Sequence, residues 1–249
     1  MARFKKIIFI ILYVTLANTA FSKSPPPGTG TANVPANILI MLDNSGSMSA
    51  RLYNSVQLYY PLDVDVDSQG NVYVLEYYNN RIMVFNSSGS FVRSFGGYGS
   101  SCNRWRYARQ FSIHNDIIYL ADTYNYRVKK LSLTGGCLAN RNTVFSYPTS
   151  IAVNNRNVFV GNSGTRIETF YTSNLQQSGY QTFSSGDLYY AWGMSMNKAG
   201  NKLIVANYNG NRLSEFSVSS GRLSLIRKTS NSYSSSNGYF RRATDAVYD

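Results

Sequence analysis

A run of eight residues is written four times along this chain. YNNRIMVF (Tyr78–Phe85) returns as YNYRVKKL (Tyr124–Leu131), as SGTRIETF (Ser163–Phe170) and as NGNRLSEF (Asn209–Phe216). Each copy is a tight turn, then an arginine, then a β-rich stretch. The four arginines, Arg81, Arg127, Arg166 and Arg212, lie 46, 39 and 46 residues apart. Short β runs at a fixed period of about 40 residues point to the blades of a β-propeller, an all-β architecture built from equivalent sheets.

Each copy reads as four strands. In the first, Leu62–Val66, Val72–Glu76, Arg81–Phe85 and Ser90–Phe95 are separated by the turns DSQGN, YYNN and NSSG. Runs rich in Val, Ile, Tyr and Phe fit a pleated, half-buried surface. The Asn, Gly and Ser between them tolerate left-handed backbone or bond their own chain. No copy carries a helix-length apolar period. About four blades are expected over residues 61–249, with Ala243–Asp249, ATDAVYD, lining up with Pro61–Asp67, PLDVDVD, as the opening strand of a fifth. An array cut off there leaves unpaired sheet edges, which points to a truncated reading frame or to pairing with a second chain.

These copies resemble the NHL repeat, whose blades carry a motif like YVADTxNNRIxVF. Tyr119–Val128, YLADTYNYRV, is the nearest match, with Asp122, Asn125 and Arg127 at the motif's polar positions. Val74–Ile82 and Val205–Leu213 follow it well, and Val160–Ile167 less so. The resemblance implies a propeller, usually of six blades, where four are visible here. The marker arginines read as structural, tying a turn to the adjacent blade.

The N-terminal part is different. Met1–Ser22 reads as a secretory signal peptide: MARFKK precedes the apolar run Ile7–Ala17, and Ala20-Phe21-Ser22 offers small residues for cleavage. That run is short against the ~20 residues a membrane span needs, so no stable span is expected after cleavage. Lys23–Ala36, KSPPPGTGTANVPA, is a Pro/Gly-rich linker. Residues 37–60 open with Ile38–Leu42, ILIML, which fits a strand buried in a parallel sheet. It runs into Asp43-Asn44-Ser45-Gly46-Ser47.

This DxSxS resembles the metal-ion-dependent adhesion site of von Willebrand factor A domains. The resemblance implies Mg²⁺ or Mn²⁺ held by Asp43, Ser45 and Ser47, with open positions for an acidic group of a partner. Two blander readings stand beside it: a chance loop pattern, or a strand that closes the propeller. Met48–Leu58 could begin the helix an A domain requires, but no Thr or second Asp can be assigned to the remaining ligand positions. The preferred reading is a propeller inserted into an A domain that continues beyond Asp249.

Cys102 and Cys137 are the two cysteines, and in an exported chain they are expected to form a disulfide between neighbouring blades. The single histidine, His114, falls in the turn HND and reads as an exposed turn residue. One histidine and two paired cysteines cannot assemble a three-ligand zinc site. Nor is there a nucleophile–base constellation or a phosphate loop. A non-catalytic protein is therefore expected, with a secreted propeller lyase or lactone-type hydrolase, or a metal-free scaffold, as the rivals.

Charge and aromatic content bear on the partner. The chain carries a formal +12, and removing Arg3, Lys5 and Lys6 with the leader leaves 21 − 12 = +9. The arginines are spread through the blades without a clustered patch, so no nucleic-acid partner is expected. Tyrosine is abundant, 21 residues against 2 tryptophans. Tyr59, Tyr60, Tyr77, Tyr78, Tyr107, Tyr124, Tyr126, Tyr189, Tyr190 and Tyr208 fall in or near turns and blade edges, where they pack between blades or form a hydrogen-bonding surface. The reading is an exported surface or extracellular protein that binds a protein or surface ligand, through an acidic group where the cation site is used.

Overall fold

The computed structural model describes residues 58–143, 147–229 and 242–248, together with the backbone of 7–9 and 42–43. β1 (Ile7–Phe9) pairs antiparallel with β2 (Leu42–Asp43), and this pair belongs to a compact unit distinct from the one that holds the repeats. The pairing departs from the parallel sheet expected around Ile38–Leu42. Of the cation-site residues, Asp43 ends β2, whereas Ser45 and Ser47 lie outside the described residues. The helix expected over Met48–Leu58 also lies outside them as far as Gln57, and Leu58 is irregular.

The repeats fold into four antiparallel four-stranded sheets, each a meander in chain order. The first holds β3 (Pro61–Val66), β4 (Val72–Glu76), β5 (Arg81–Phe85) and β6 (Phe91–Gly96). The second holds β7 (Phe111–His114), β8 (Ile117–Asp122), β9 (Arg127–Ser132) and β10 (Cys137–Asn142). The third holds β11 (Pro148–Val153), β12 (Asn157–Asn162), β13 (Arg166–Tyr171) and β14 (Gln177–Thr182). The fourth holds β15 (Ala191–Met196), β16 (Lys202–Asn207), β17 (Arg212–Ser219) and β18 (Arg222–Lys228). The marker arginine opens the third strand in every sheet. These are propeller blades.

Burial explains why the strands are apolar on both faces. Alternate side chains of one strand go to opposite neighbours. Ile118 and Leu120 of β8 join Tyr73, Leu75, Ile82 and Val84 of blade one, whereas Tyr119 and Ala121 of the same strand join Val158 and Val160 of blade three. Phe159, on the other face of β12, packs with Met194, Val205 and Phe216 of blade four. Blades two and three are thus each the middle layer of a sandwich.

The connection between blades one and two is long, which accounts for the 46-residue step between Arg81 and Arg127. It buries Trp105 completely, and Cys102 within it is bonded to Cys137 at the start of β10. His114 ends β7 instead of sitting in the turn, and its Nε2 lies 2.8 Å from Asn155 Oδ1 of blade three.

The first strands pack against one another, β3 on β7, β7 on β11 and β11 on β15. One register position reaches forward each time. Asp63 Oδ2 accepts the Phe111 N–H at 2.8 Å, Gln110 Oε1 accepts the Ile151 N–H at 2.9 Å, and Ser150 Oγ donates to the Ala191 carbonyl at 2.9 Å. Gly193 holds the same position in blade four. A Cβ there would meet Thr244 O and Asp245 Oδ1 at 2.7 Å, so residues 244–245 lie against β15, although 242–248 form no strand.

Two carboxylates of β3 are partly buried by this arrangement. Burial pushes Asp65 up to about 6, against the pull of the Ile113 and Val66 N–H groups and of His114. Burial, with Asp245 and Asp65 nearby, raises Asp63 as well. Because the folded state holds the Asp65 proton more tightly than an unfolded chain does, ionising it costs stability as pH rises from about 4 to about 6. Asp65→Asn keeps an acceptor for Ile113 and removes that cost. The stability of the variant relative to the parent, measured by urea denaturation, should therefore grow across that window and stay level above it.

Candidate interaction face

Aligning the blades on their hydrogen-bond register brings out a column that begins before the first strand of each. It reads Tyr60-Pro61-Leu62-Asp63, Tyr107-Ala108-Arg109-Gln110, Tyr147-Pro148-Thr149-Ser150 and Tyr190-Ala191-Trp192-Gly193, then Arg242-Ala243-Thr244-Asp245. The leading residue has left-handed backbone in every copy, with φ of 50°, 49°, 53°, 63° and 51°. A bulky side chain adopts that conformation at a cost of roughly 1–3 kcal/mol, so something must hold it. Hydrogen bonds to the preceding blade do so. The N–H of Tyr107 donates to Asn80 Oδ1 at 2.6 Å, that of Tyr190 to the Gly164 carbonyl at 2.9 Å, and that of Arg242 to Asn211 Oδ1 at 2.8 Å. Asn80, Gly164 and Asn211 all lie in turns between second and third strands. In return the carbonyls of Tyr60 and Tyr190 accept from Tyr77 and Tyr208 of their own blades, both at 3.0 Å.

The marker arginine works in the same turn. Glu76 pairs with Arg81 and accepts the Tyr59 N–H. Asp122 accepts from Arg127 Nε at 2.8 Å and from the Arg106 N–H at 2.8 Å, and Asn207 accepts the Tyr189 N–H at 3.0 Å. In blades one, two and four the acid or amide that ends the second strand thus binds the incoming chain, and in blades one and two the marker arginine pairs with that acid. Arg127 and Arg212 also reach the connection from the preceding blade, at Ser101 and Arg104 for the first and at Gly186 for the second. Arg166 bonds Thr182 in its own blade.

The start of a first strand and the turn between second and third lie at the same end of a meander, so all these residues share one face. Here the tyrosines meet. Tyr59, Tyr60, Tyr78, Tyr77, Tyr107, Tyr124, Tyr147 and Tyr126 follow one another with ring centroids 5.0, 4.6, 5.1, 5.2, 5.3, 5.6 and 4.9 Å apart. Most of these pairs are edge-to-face, the favoured geometry for aromatic quadrupoles. Tyr59, Tyr78 and Tyr124 remain 51%, 50% and 42% exposed. Beside this ladder, Trp192 stacks on Tyr208 at 4.5 Å. Arg109 lies over Trp192 at 4.2 Å and faces Tyr77 at 5.6 Å, joining the two groups.

Burial pushes the Tyr77 hydroxyl up to about 12 and raises Tyr190, while a hydrogen bond with Tyr147 raises Tyr126. These phenols therefore stay neutral at ordinary pH, able both to donate and to accept. Among the described residues no three His, Cys, Asp or Glu side chains are grouped to hold a metal ion. No helix among them is long and apolar enough to cross a membrane.

Lys129 is the surprise within blade two. Its side chain is fully buried beside Asp122, 3.7 Å away, and donates to the Cys102 carbonyl at 2.8 Å. Burial pulls its ammonium down to about 8 against the attraction of Asp122. Removing Asp122 would leave that charge uncompensated, so Asp122→Ala should cost about 3–5 kcal/mol. Urea denaturation measures the loss.

Comparison with known proteins bears on the fold. A family model described as the NHL repeat matches residues 58–85, which are the first three strands of blade one and the segment leading into them. No curated protein matches the chain. Among solved structures, a chain of Kuenenia stuttgartiensis hydrazine synthase is similar, with a TM-score of 0.55 and 10% identity over 71% of this chain. That likeness is one of fold alone, and this chain spans 51% of the length of the structure it matches. The protein thus carries an NHL repeat in the first of four propeller blades.

Proposed function

We propose that this is an exported binding protein, acting in adhesion or protein–protein contact, whose propeller presents the tyrosine ladder to its partner. The observation that carries the reading is the ladder itself. Eight contacting tyrosines from three blades meet at one end, several of them about half exposed. Exposed tyrosines supply large contact area with few rotatable bonds, and their hydroxyls serve many polar partners. Interfaces are accordingly enriched in them. The fold by itself decides nothing here, since propellers host unrelated functions. Export is supported by the leader-like Met1–Ser22 and by the pairing of Cys102 with Cys137.

Substituting Tyr59, Tyr78 and Tyr124 together by alanine should lower the adhesion of protein-coated beads to cell surfaces by about tenfold or more, with an unchanged melting temperature. Tyr171 and Tyr180, 48% and 55% exposed on blade three, supply the control. Alanine at both should leave adhesion as it was, and an equal loss there would overturn the reading.

In the finer version, Mg²⁺ or Mn²⁺ at Asp43, Ser45 and Ser47 bridges to an acidic group of the partner. Adding either ion to the full chain should then raise its melting temperature or its adhesion. Asp43→Ala should abolish that response and leave the metal-free value unchanged.

A further inference from the structure

We propose that Arg109 is the anchor of the tyrosine face and receives a carboxylate from an acidic polypeptide segment of the partner. This rests on the reading of that face as the binding surface. Arg109 holds the same register position as Leu62, Thr149 and Trp192. In blades one, three and four the strand ladder slips by one residue at this position. Such bulges re-aim side chains. From blade two, Arg109 reaches to Trp192 of blade four, and the next residue makes the same crossing. Gln110, buried, accepts from Ile151 N–H at 2.9 Å and from Met194 N–H at 3.2 Å, and donates to the Met194 carbonyl at 3.1 Å. The amide therefore forms a floor between first strands, and the guanidinium lies beside it, among the tyrosines.

The electrostatics around Arg109 are unbalanced. On this face Glu76 is taken by Arg81, Asp122 by Arg127 and Lys129, and Asp187 by Lys228. Among the described residues no ion pair involves Arg109, and its buried Nε has no hydrogen-bond partner. Arg106 over Tyr98 at 5.2 Å and Arg242 over Tyr208 at 5.4 Å are likewise set on rings without an ion pair. Stacking on a ring uses the face of a guanidinium and leaves its N–H edge free. That edge matches a carboxylate with two parallel hydrogen bonds.

Ring orientation favours a polypeptide over other anionic polymers. Five of the seven neighbouring pairs along the ladder cross at 83°, 89°, 78°, 71° and 79°, and the other two are tilted at 40° and 59°. Successive bases of a single strand stack on parallel faces in a groove that tracks phosphates, and sugar rings of a glycan also lie flat on exposed faces. Crossed rings present edges and hydroxyls instead, which suit the amides and carboxylates of an extended acidic segment.

Fluorescence polarisation of the full chain with dye-labelled octaglutamate tests this, with octaglutamine, oligothymidylate and oligogalacturonate as comparison probes. Octaglutamate should bind more tightly than the other three. Arg109→Gln should weaken it by about tenfold or more, the scale of a lost charged hydrogen bond. Arg109→Lys, which keeps charge without the fork, should restore only part, and it carries the test if the glutamine variant is unstable. Arg156→Gln, on the exposed turn between β11 and β12, should change nothing. Equal octaglutamate binding by the parent and both Arg109 variants, or no binding by the parent, would overturn the proposal. So would tighter binding of oligothymidylate or oligogalacturonate. If the three tyrosine substitutions still abolish bead adhesion in that case, the face is a binding surface and the carboxylate anchor alone is wrong.

Discussion

The open edge of each first strand is the constraint on which this architecture turns. A strand at a sheet edge carries unpaired N–H and C=O groups, and buried ones must find partners. Here the side chain one blade earlier supplies them, with Asp63 serving Phe111, Gln110 serving Ile151 and Ser150 serving Ala191. Asp65 repeats the device one step along, accepting the Ile113 N–H at 2.7 Å. The residue type at this position sets how far the reach extends. Serine spans to its neighbour, glutamine also touches the blade after that, and glycine leaves a space taken up by Asp245. Because each blade completes the edge of the next, the blades are coupled by polar contacts as well as by their apolar faces.

That coupling also makes the tyrosine face. Passing from one blade to the next requires a sharp change of direction just before the first strand, which the chain makes with one left-handed residue. At Tyr107, Tyr190 and Arg242 the strain is compensated by a hydrogen bond back to the previous turn and, in blades one and four, by another forward to their own. Asparagine or glycine would take that backbone more easily. Tyrosine stands there in four blades, so its ring is worth more at that place than the relief of strain, and the rings of Tyr60, Tyr107, Tyr147 and Tyr190 all make aromatic contacts on the face. Local strain, aromatic contact and exposure coincide at one end of the sheets.

Much of the fold could be read from residues in order, because strands and turns are local. The alternation in VYVLE, the Asn and Gly of the turns and the marker arginine each declare themselves within a few positions. The strands of blade one fall within a residue of the expected places, Leu62–Val66 becoming Pro61–Val66 and Ser90–Phe95 moving to Phe91–Gly96. The tyrosine face was only half legible. Ten of its tyrosines stood out by composition, but Tyr147 did not, since the column Tyr-Pro/Ala-x-x emerges only once the copies are aligned upstream of the arginine. Gln110, Arg109 and Lys129 were invisible for a different reason. Their roles depend on which blade lies opposite, and no spacing within one repeat encodes that.

The strong positive charge is put partly to structural use. Spread over blades, it suggested a basic surface without a patch, yet part of it is bonded to the backbone of neighbouring loops. Lys129 is sealed beside Asp122 and binds carbonyls of the blade connection; Lys130 crosses to the carbonyls of Thr172 and Ser173 at 2.7 and 3.1 Å. Arg93 likewise reaches the Leu133 carbonyl at 2.8 Å. These cations act as long hydrogen-bond donors that fasten one blade to the loops of another. The charge left for a partner is what remains when such structural bonds and the ion pairs of Glu76, Asp122 and Asp187 are set aside. On the tyrosine face that remainder is a few guanidiniums lying on aromatic rings, which is why net charge alone said so little about what this protein would hold.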